Sequence, residues 1–187
     1  TVWYKNDQKK KVSNYKDGQQ DGLTTMWYEN GNQQNESTYV QDKQHGLRTE
    51  WYESGEKWAE INYKNGQKDG QQTFWYKNGN KKEESIWVNG VHEGLTTCWH
   101  ESGAKELEVN YKQNIMHGLV TTFHENGLKK IAQNWKNGEA DELVARWYEN
   151  GQKKNEWTDQ LTTEWYEDGQ KKEESTFKDG LQDGPTK

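Results

Sequence analysis

The strongest constraint on the fold is a repeat whose leading aromatic residue returns at a fixed spacing. Successive copies start 24 residues apart from Trp3 to Trp147, and the next copy starts 18 residues later at Trp165. A fixed period of this length is typical of a stack of small units, each packed against its neighbours. We therefore predict a single repeat array over residues 1–187, in about seven and a half copies. The copies start at residues 3, 27, 51, 75, 99, 123, 147 and 165.

One copy, residues 147–164, is six residues shorter than the others. The residues that replace the usual connection are Asn155-Glu156-Trp157-Thr158-Asp159-Gln160-Leu161. Two explanations are open. Either the repeat is genuinely shortened, which would bend or loosen the array, or six residues of a loop between Trp157 and Leu161 are absent from the sequence. In the first case Asp159 stands where every other copy has an aromatic residue.

Two turn signals divide each copy into two short strands. One is the E-N-G track that includes Gly31, and the other is a K-D-G or K-N-G track that includes Gly18 and Gly66. Such pairs supply the positive φ angles that tight hairpin loops need. Two glycines in each copy also leave no run long enough for a helix. The sequence therefore predicts an all-β fold, an elongated single-layer twisted array of antiparallel β-hairpins built from 24-residue repeats.

The loop type decides which side chains share a face of the sheet. A two-residue Asn-Gly loop would put Tyr39 on the face opposite to Trp27. A three-residue loop, with Gly31 as the left-handed bulge residue, shifts the register by one position. We expect the three-residue loop because it collects apolar residues on one side. The residues expected on that inner face are Leu23, Thr25, Trp27, Ser37, Tyr39, Ala59, Ile61, Leu107, Val109 and Ile131.

Stacked copies are expected to form two continuous aromatic rows on the inner face, which would supply most of a thin core. The first row is Trp3, Trp27, Trp51, Trp75, Trp99, Phe123, Trp147 and Trp165. The second row is Tyr15, Tyr39, Tyr63, Trp87, Tyr111, Trp135 and Phe177.

The opposite face is predicted to be polar and to carry the candidate interaction surface. Its aromatic row is Tyr28, Tyr52, Tyr76, His100, His124, Tyr148 and Tyr166, and we expect a glutamate row beside it, at Glu36, Glu60, Glu84, Glu108, Glu156 and Glu174. Copies differ most just before the leading aromatic, at Met26, Glu50, Phe74, Cys98, Thr122, Arg146 and Glu164. Variation on a constant scaffold is how repeat proteins acquire partners, and Met26 and Phe74 therefore join the candidate surface. The simpler interpretation is that an exposed position drifts freely.

Composition narrows the classes of function. Hydrophobic residues are only 28% of the chain, but 11 Trp and 10 Tyr at fixed phase favour order over disorder. The net charge of −6 is spread without a basic stripe, so a nucleic-acid partner is not expected. No apolar run has the length of a transmembrane segment. The sequence begins in mid-repeat, so a signal peptide could precede it. Two locations remain open, the cytoplasm on one side and a secreted or envelope location on the other.

No catalytic, metal or cofactor site is expected. A glutamate repeated in six copies is typical of a solvated face balanced by lysines, whereas a catalytic carboxyl pair is singular. His100 and His124 occupy equivalent positions in adjacent copies, with backbones ~10 Å apart, which is long for shared zinc coordination. The Asp17 to Gly22 loop lacks the ligand spacing of a calcium loop. The protein is therefore predicted not to be an enzyme.

The repeat W-Y-E-N-G-Q-K-K-x-E, followed by Y-K-D-G-x-x-D-G-L, resembles the MORN-repeat variant of bacterial YwqK-like proteins across essentially the whole chain. The resemblance implies an all-β hairpin array, a protein-binding or scaffolding role, and an antitoxin or immunity function. The chain departs from the usual pattern in having Lys or Gln just after the E-N-G loop, as at Gln33 and Lys81. A weaker similarity is to choline- or glucan-binding cell-wall repeats, but their W-Y-Y phrase is missing.

Three functional hypotheses follow. The first is a non-enzymatic scaffold that binds another protein, such as a toxin or an envelope component. The second is a structural protein that self-associates into filaments through open sheet edges. The third is a carbohydrate- or choline-binding module in which the aromatic rows stack on sugars or quaternary ammonium groups.

Overall fold

The computed structural model describes residues 1–158, 160–178 and 181–183, without the side chains of residues 142 and 143. Every regular element among these residues is a β-strand, and the pairings within each unit are antiparallel. The chain divides into two compact units, Thr1–Gly94 and Leu95–Lys187. The predicted all-β fold of tandem hairpins is confirmed.

The first unit contains ten strands, and strands that follow one another in the chain pair in the sheet, except that β4 pairs with both β5 and β6. Their bounds are β1 Val2–Trp3, β2 Lys9–Lys16, β3 Gln19–Trp27, β4 Gln33–Val40, β5 Lys43–Gln44, β6 Gly46–Trp51, β7 Lys57–Lys64, β8 Gln67–Trp75, β9 Lys81–Val88 and β10 Val91–His92.

The second unit repeats this arrangement, with β12 pairing with both β13 and β14. Its strands are β11 Gly94–Trp99, β12 Lys105–Lys112, β13 Ile115–Met116, β14 Gly118–Phe123, β15 Lys129–Lys136, β16 Glu139–Trp147, β17 Lys153–Trp157, β18 Leu161–Trp165, β19 Lys171–Lys178 and β20 Leu181–Gln182.

The E-N-G loop has the predicted three-residue form. Tyr28 N–H donates to the carbonyl of Asn32 at 2.9 Å, and Gly31 N–H donates back to the carbonyl of Tyr28 at 3.0 Å. Gly31 has a φ of 89°, the left-handed conformation that a bulge residue needs. The other loop has two residues, as in Asp17 and Gly18 with φ of 52° and 81°, which is typical of a type I′ turn.

A second irregularity, absent from our sequence prediction, follows each three-residue loop. Trp27 pairs with Gln33 but Met26 pairs with Asn35, so Gln34 is one residue too many for the ladder. We call the residue in this position the bulge residue. The bulge residues shown by the pairing are Lys10, Gln34, Trp58, Lys82, Lys130, Lys154 and Lys172.

The predicted inner face is wrong because each bulge residue shifts the register by one more position. Thr24 pairs with Ser37 and Gly22 pairs with Tyr39, so Ser37 and Tyr39 lie on the face opposite to Trp27. Leu23 and Thr25 lie on the side of Trp27. We call that side, with the leading aromatic row, the tryptophan face, and the other side, with the rows of Tyr28 and Tyr39, the tyrosine face.

The glutamate row also lies on the face opposite to the predicted one. Thr25 pairs with Glu36 and Thr73 pairs with Glu84, so these glutamates belong to the tryptophan face. Ala59, Ile61 and Val109 share one face, as predicted. That face is the tyrosine face, which they share with Met26 and Phe74 and not with Trp27. The two aromatic rows predicted to share a face are therefore on opposite faces.

Buried side chains are small and lie on both faces. Ala59 and Val109 are 0% and 1% exposed on the tyrosine face, and Ala132 and Ala145 are 3% and 2% exposed on the tryptophan face. The large aromatic side chains are half-buried, except at Trp3, Tyr15 and Tyr166, which are exposed. The apolar core is thus thin, as the composition suggested, and buried polar side chains such as Gln72, 1% exposed, lie beside it.

The short copy closes as a short hairpin. Asn155 pairs with Glu164 and Trp157 with Thr162, and Thr158 N–H donates to the carbonyl of Leu161 at 2.8 Å. The difference of six residues from the other copies therefore lies at the hairpin tip. The predicted replacement of an aromatic residue by Asp159 falls outside the described residues.

Candidate interaction surface

The tyrosines of the predicted interaction surface link neighbouring copies. The Tyr28 hydroxyl donates to the carbonyl of Trp51 at 2.8 Å, and Tyr52 does the same to Trp75 at 3.0 Å. Tyr148 donates to the carbonyl of Trp165, also at 3.0 Å. A phenol on one copy therefore holds the strand end of the next. These hydroxyls are hydrogen-bonded within the fold, so a partner protein would contact only the ring faces and edges of these residues.

The remaining members of this row differ in how they meet the next copy. His124 Nε2 lies 3.1 Å from the carbonyl of Trp147, so a histidine replaces the phenol at the same place. His100 Nε2 is buried without a hydrogen-bond partner among the described residues. Lys82 lies over the ring of Tyr76 at 5.5 Å. Tyr166 is 52% exposed, in contrast to its half-buried counterparts.

The asparagine of the E-N-G loop forms a second link between copies. Asn30 Oδ1 accepts from the N–H of Asn32 in its own turn, and its Nδ2 donates to the carbonyl of Glu53 in the next turn at 2.9 Å. Asn126 and Asn150 repeat the arrangement. An aspartate keeps the first bond but cannot donate the second. Asparagine at this position is therefore explained by stacking of the turns.

The tryptophan face carries a ladder of charge. Because the bulge adds one residue, side chains three positions apart share a face, and in five copies the lysine that starts a strand pairs with a glutamate. The pairs are Lys57–Glu60, Lys81–Glu84, Lys105–Glu108, Lys153–Glu156 and Lys171–Glu174. Lys57 also lies 5.5 Å above the ring of Trp75. The interpretation of these glutamates as a solvated, lysine-balanced row agrees with this geometry.

In the first unit, variable residues on the tyrosine face form an aromatic patch. Trp58, a bulge residue, lies 5.9 Å from Phe74 and 6.4 Å from Tyr52 between ring centroids. We call Tyr52, Trp58 and Phe74 the aromatic patch. Tyr52 and Phe74 were predicted from the sequence to belong to an interaction surface, but Trp58 was not. Its side chain reaches this face because of the bulge, which the sequence pattern did not predict.

Next to the patch is a cavity of about 320 Å³. Its lining residues are Met26, Tyr28, Gln34, Asn35, Tyr39, Arg48, Glu50 and Trp58. Glu50 is 8% exposed and forms an ion pair with Arg48, and Asn35 Nδ2 donates to the Glu50 carboxylate at 3.4 Å. The buried carboxylate thus has a guanidinium and an amide N–H as partners. The cavity therefore combines an apolar wall with a neutralised polar base.

In the second unit, two cavities lie beside the histidines of the row. One, of about 430 Å³, is lined by His100, Phe123, His124, Glu125, Asn126, Lys130 and Glu149. The other, of about 280 Å³, is lined by His124, Lys130, Ile131, Arg146, Trp147, Tyr148, Glu149 and Lys154. An imidazole is shorter than a phenol, which accounts for free space at both positions. The second cavity has an excess of cationic side chains.

Other site chemistry is limited in the part of the chain that the structure describes. Within it, no three or more His, Cys, Asp or Glu side chains are grouped to hold a metal ion. No helix of the length and hydropathy of a membrane span occurs there. The Asp21 and Asp69 carboxylates accept hydrogen bonds from the N–H groups of Gln41 and Asn89 in the next turn. These aspartates thus organise turns.

One histidine has a shifted pKa. The His92 ring stacks on Trp87 with centroids 4.7 Å apart and planes 1° from parallel, and Lys68 lies over the same indole at 4.4 Å. Burial lowers the pKa of His92 below its ordinary value, Glu83 opposes this, and the charge of Lys68 adds to the lowering.

Comparison with known families identifies the repeat. The sequence profile of the MORN repeat variant matches residues 20–41, 44–65, 68–89, 116–137 and 161–179, which is more than half of the chain. Each matched segment ends within a few residues of a two-residue loop or strand end described above. No curated protein matches the chain. The hairpin array, its two loop types and these five matches together show that the chain belongs to the MORN repeat variant family.

Proposed function

We propose that this protein is a non-enzymatic binding protein whose tyrosine face holds another protein, with the aromatic patch as its anchor. The observation that carries the proposal is Trp58. Its equivalents in other copies include Lys10, Gln34 and Lys82, so the fold does not require an aromatic residue at this position. A half-buried Trp beside Phe74, where the fold has no need of one, is typical of an interface hot spot.

The surroundings of Trp58 support the same proposal. The 320 Å³ cavity that it lines is within the size range, roughly 300–1,000 Å³, of pockets that take a small molecule or a large side chain. Arg48 and Glu50 at its base are already paired with each other. The surface therefore offers shape and aromatic contact, together with a polar base in which Arg48 and Glu50 are paired and the buried Nε of Arg48 has no hydrogen-bond partner among the described residues.

Capture with the full chain as bait, from its native source, tests the proposal. The bait is compared with Trp58→Lys, which introduces the residue that Lys82 provides in the next copy, and with Lys105→Gln, a surface change on the tryptophan face, as the control. We expect a stoichiometric protein partner that binds the wild type and the control equally. Its affinity for Trp58→Lys should fall by more than tenfold, since hot-spot residues contribute about 2 kcal/mol or more. Equal binding to all three baits, or no stoichiometric partner, refutes the proposal.

The more specific form of the proposal is that the partner is a toxin that the chain neutralises. It rests on the resemblance of the repeat to YwqK-like antitoxin proteins. Expression of the captured partner alone should then stop growth, and coexpression with the wild-type chain should restore it. Coexpression with Trp58→Lys should restore growth poorly. A captured partner without toxicity restricts the proposal to scaffolding, as with an envelope component.

A further inference from the structure

Three cationic side chains converge on the tyrosine face of the second unit. Arg146 on β16 pairs with Ile131 on β15 and with Asn155 on β17. The bulge residues that precede these partners are Lys130 and Lys154. Neighbouring strands lie ~4.8 Å apart, so the two lysines flank Arg146 within ~10 Å of each other. All three line the 280 Å³ cavity described above. We call Lys130, Arg146 and Lys154 the cationic cluster.

In two other copies, a cation on this face forms an ion pair with the carboxylate just before the leading aromatic residue. In the last copy, the bulge residue Lys172 forms an ion pair with Glu164 at 3.2 Å. Glu164 is the equivalent of Arg146, and so is Glu50, which pairs with Arg48. An arginine thus replaces the neutralising glutamate in the middle of the cluster. Among the described residues, none of the three cations has a carboxylate within ion-pairing distance.

Among the described residues that line this cavity, Glu149 is the one carboxylate and stands beside three Lys and Arg side chains, which leaves an excess of two positive charges. Aromatic rings support two of the cations. Lys154 lies 5.3 Å from the centre of the Tyr148 ring, and the Arg146 guanidinium lies 5.7 Å from the Trp157 ring. Cation–π contacts hold a charge in place but leave it unneutralised, and all three side chains are exposed. The site is therefore charged, accessible and positioned in advance.

We infer that the cationic cluster binds carboxylate side chains of an acidic segment in the partner protein. Carboxylates match the fork of Arg146, which donates two parallel hydrogen bonds, and the flanking lysines can accept a second carboxylate. The chain as a whole carries a net charge of −6, which does not favour an acidic partner, so attraction for an acidic segment requires a local group of cations such as this one. The inference rests on the proposed protein-binding function and adds the chemistry of the partner.

Fluorescence anisotropy with a labelled octaglutamate peptide tests the site directly on the full chain. The variants are Arg146→Thr, Lys130→Gln and Lys154→Gln, which copy residues that other copies carry at the same positions, Thr122 and Gln34. Lys82→Gln, a bulge position in the first unit, is the matched control. We expect Arg146→Thr to weaken binding by about tenfold or more, because it removes charge-assisted hydrogen bonds. Lys82→Gln should leave binding unchanged, and raised salt should weaken wild-type binding.

Three results would overturn the inference. The first is no binding of octaglutamate, or binding that Arg146→Thr leaves intact while circular dichroism shows a native fold. The second is Arg146-dependent binding to vesicles of anionic lipid without peptide binding, which would assign the cluster to a membrane. The third is concentration-dependent self-association in light scattering that Arg146→Thr abolishes, which would make a second copy the occupant. Partner capture that depends on Trp58 is a separate measurement, so failure of the cationic cluster to bind acidic peptide is distinguished from failure of the proposed protein-binding function.

Discussion

Removal of a single phenolic oxygen measures how strongly neighbouring copies are coupled. Tyr28→Phe keeps the half-buried ring but deletes the hydrogen bond to the carbonyl of Trp51 at 2.8 Å. A neutral intramolecular hydrogen bond contributes about 1 kcal/mol net, with a range of about 0.5–1.5 kcal/mol. We therefore expect the free energy of unfolding to fall by about 1 kcal/mol, and Tm to fall by about 2–4 °C if the whole chain unfolds together.

The chain contains its own control for this experiment. Tyr166 is 52% exposed, and its hydroxyl has no hydrogen bond to any residue in the described ranges. Tyr166→Phe should therefore leave the free energy of unfolding within about 0.5 kcal/mol of wild type. Urea titration followed by tryptophan fluorescence and by circular dichroism gives both values, and a constant m-value shows that the same surface unfolds. Equal losses in the two variants would refute the idea that the phenol links copies.

Two further predictions concern turns and pH. Asn30→Asp removes the donor to the Glu53 carbonyl and should cost about 1 kcal/mol in urea unfolding, whereas Asp168→Asn should cost little, since the amide oxygen keeps the bond that Asp168 accepts from Gln170 N–H. Burial lowers the folded-state pKa of His92, so the unfolded chain binds this proton more tightly, and stability should fall as pH drops through the ordinary histidine range. Lys68→Gln should raise the pKa of His92 in an NMR titration, and an unchanged or lowered pKa would contradict the assignment.

Local features of this fold could be predicted because single residues determine them. Glycine at position 31 supplies the positive φ that the three-residue loop requires, and the Asp17-Gly18 pair supplies two. Because the period is fixed, the same turn residues recur from copy to copy and specify the same loops. Fold class, loop types and the thinness of the core therefore followed from the sequence.

The assignment of faces failed because it depended on one residue that no loop signal reveals. A bulge can be placed in a strand without glycine, and Gln34 or Lys82 in that position resembles any surface residue. One signal was present in the sequence. The lysine that starts a strand stands three residues before a glutamate, as in Lys57 and Glu60, and side chains at that spacing share a face only if the strand contains an extra residue.

The candidate surface was predicted in part. The rings of Tyr52 and Phe74 each lie against Trp58. The position of Trp58 and the proximity of the cationic side chains around Arg146 both depend on the bulge, so neither could be predicted without it. The hydroxyl of Tyr28 was predicted to lie on an exterior surface. Its acceptor is a backbone carbonyl, which the pattern of side chains in the sequence cannot reveal.

The short hairpin has a consequence for how such chains change in length. Ile61 pairs with Gln72 across ten intervening residues, 62–71, whereas Trp157 pairs with Thr162 across only four, 158–161. The equivalent pair is kept in both, so hairpin tips lengthen or shorten without altering the ladder beneath them. Each tip is thus a natural insertion site, where a new loop can be grafted without redesign of the repeat that carries it.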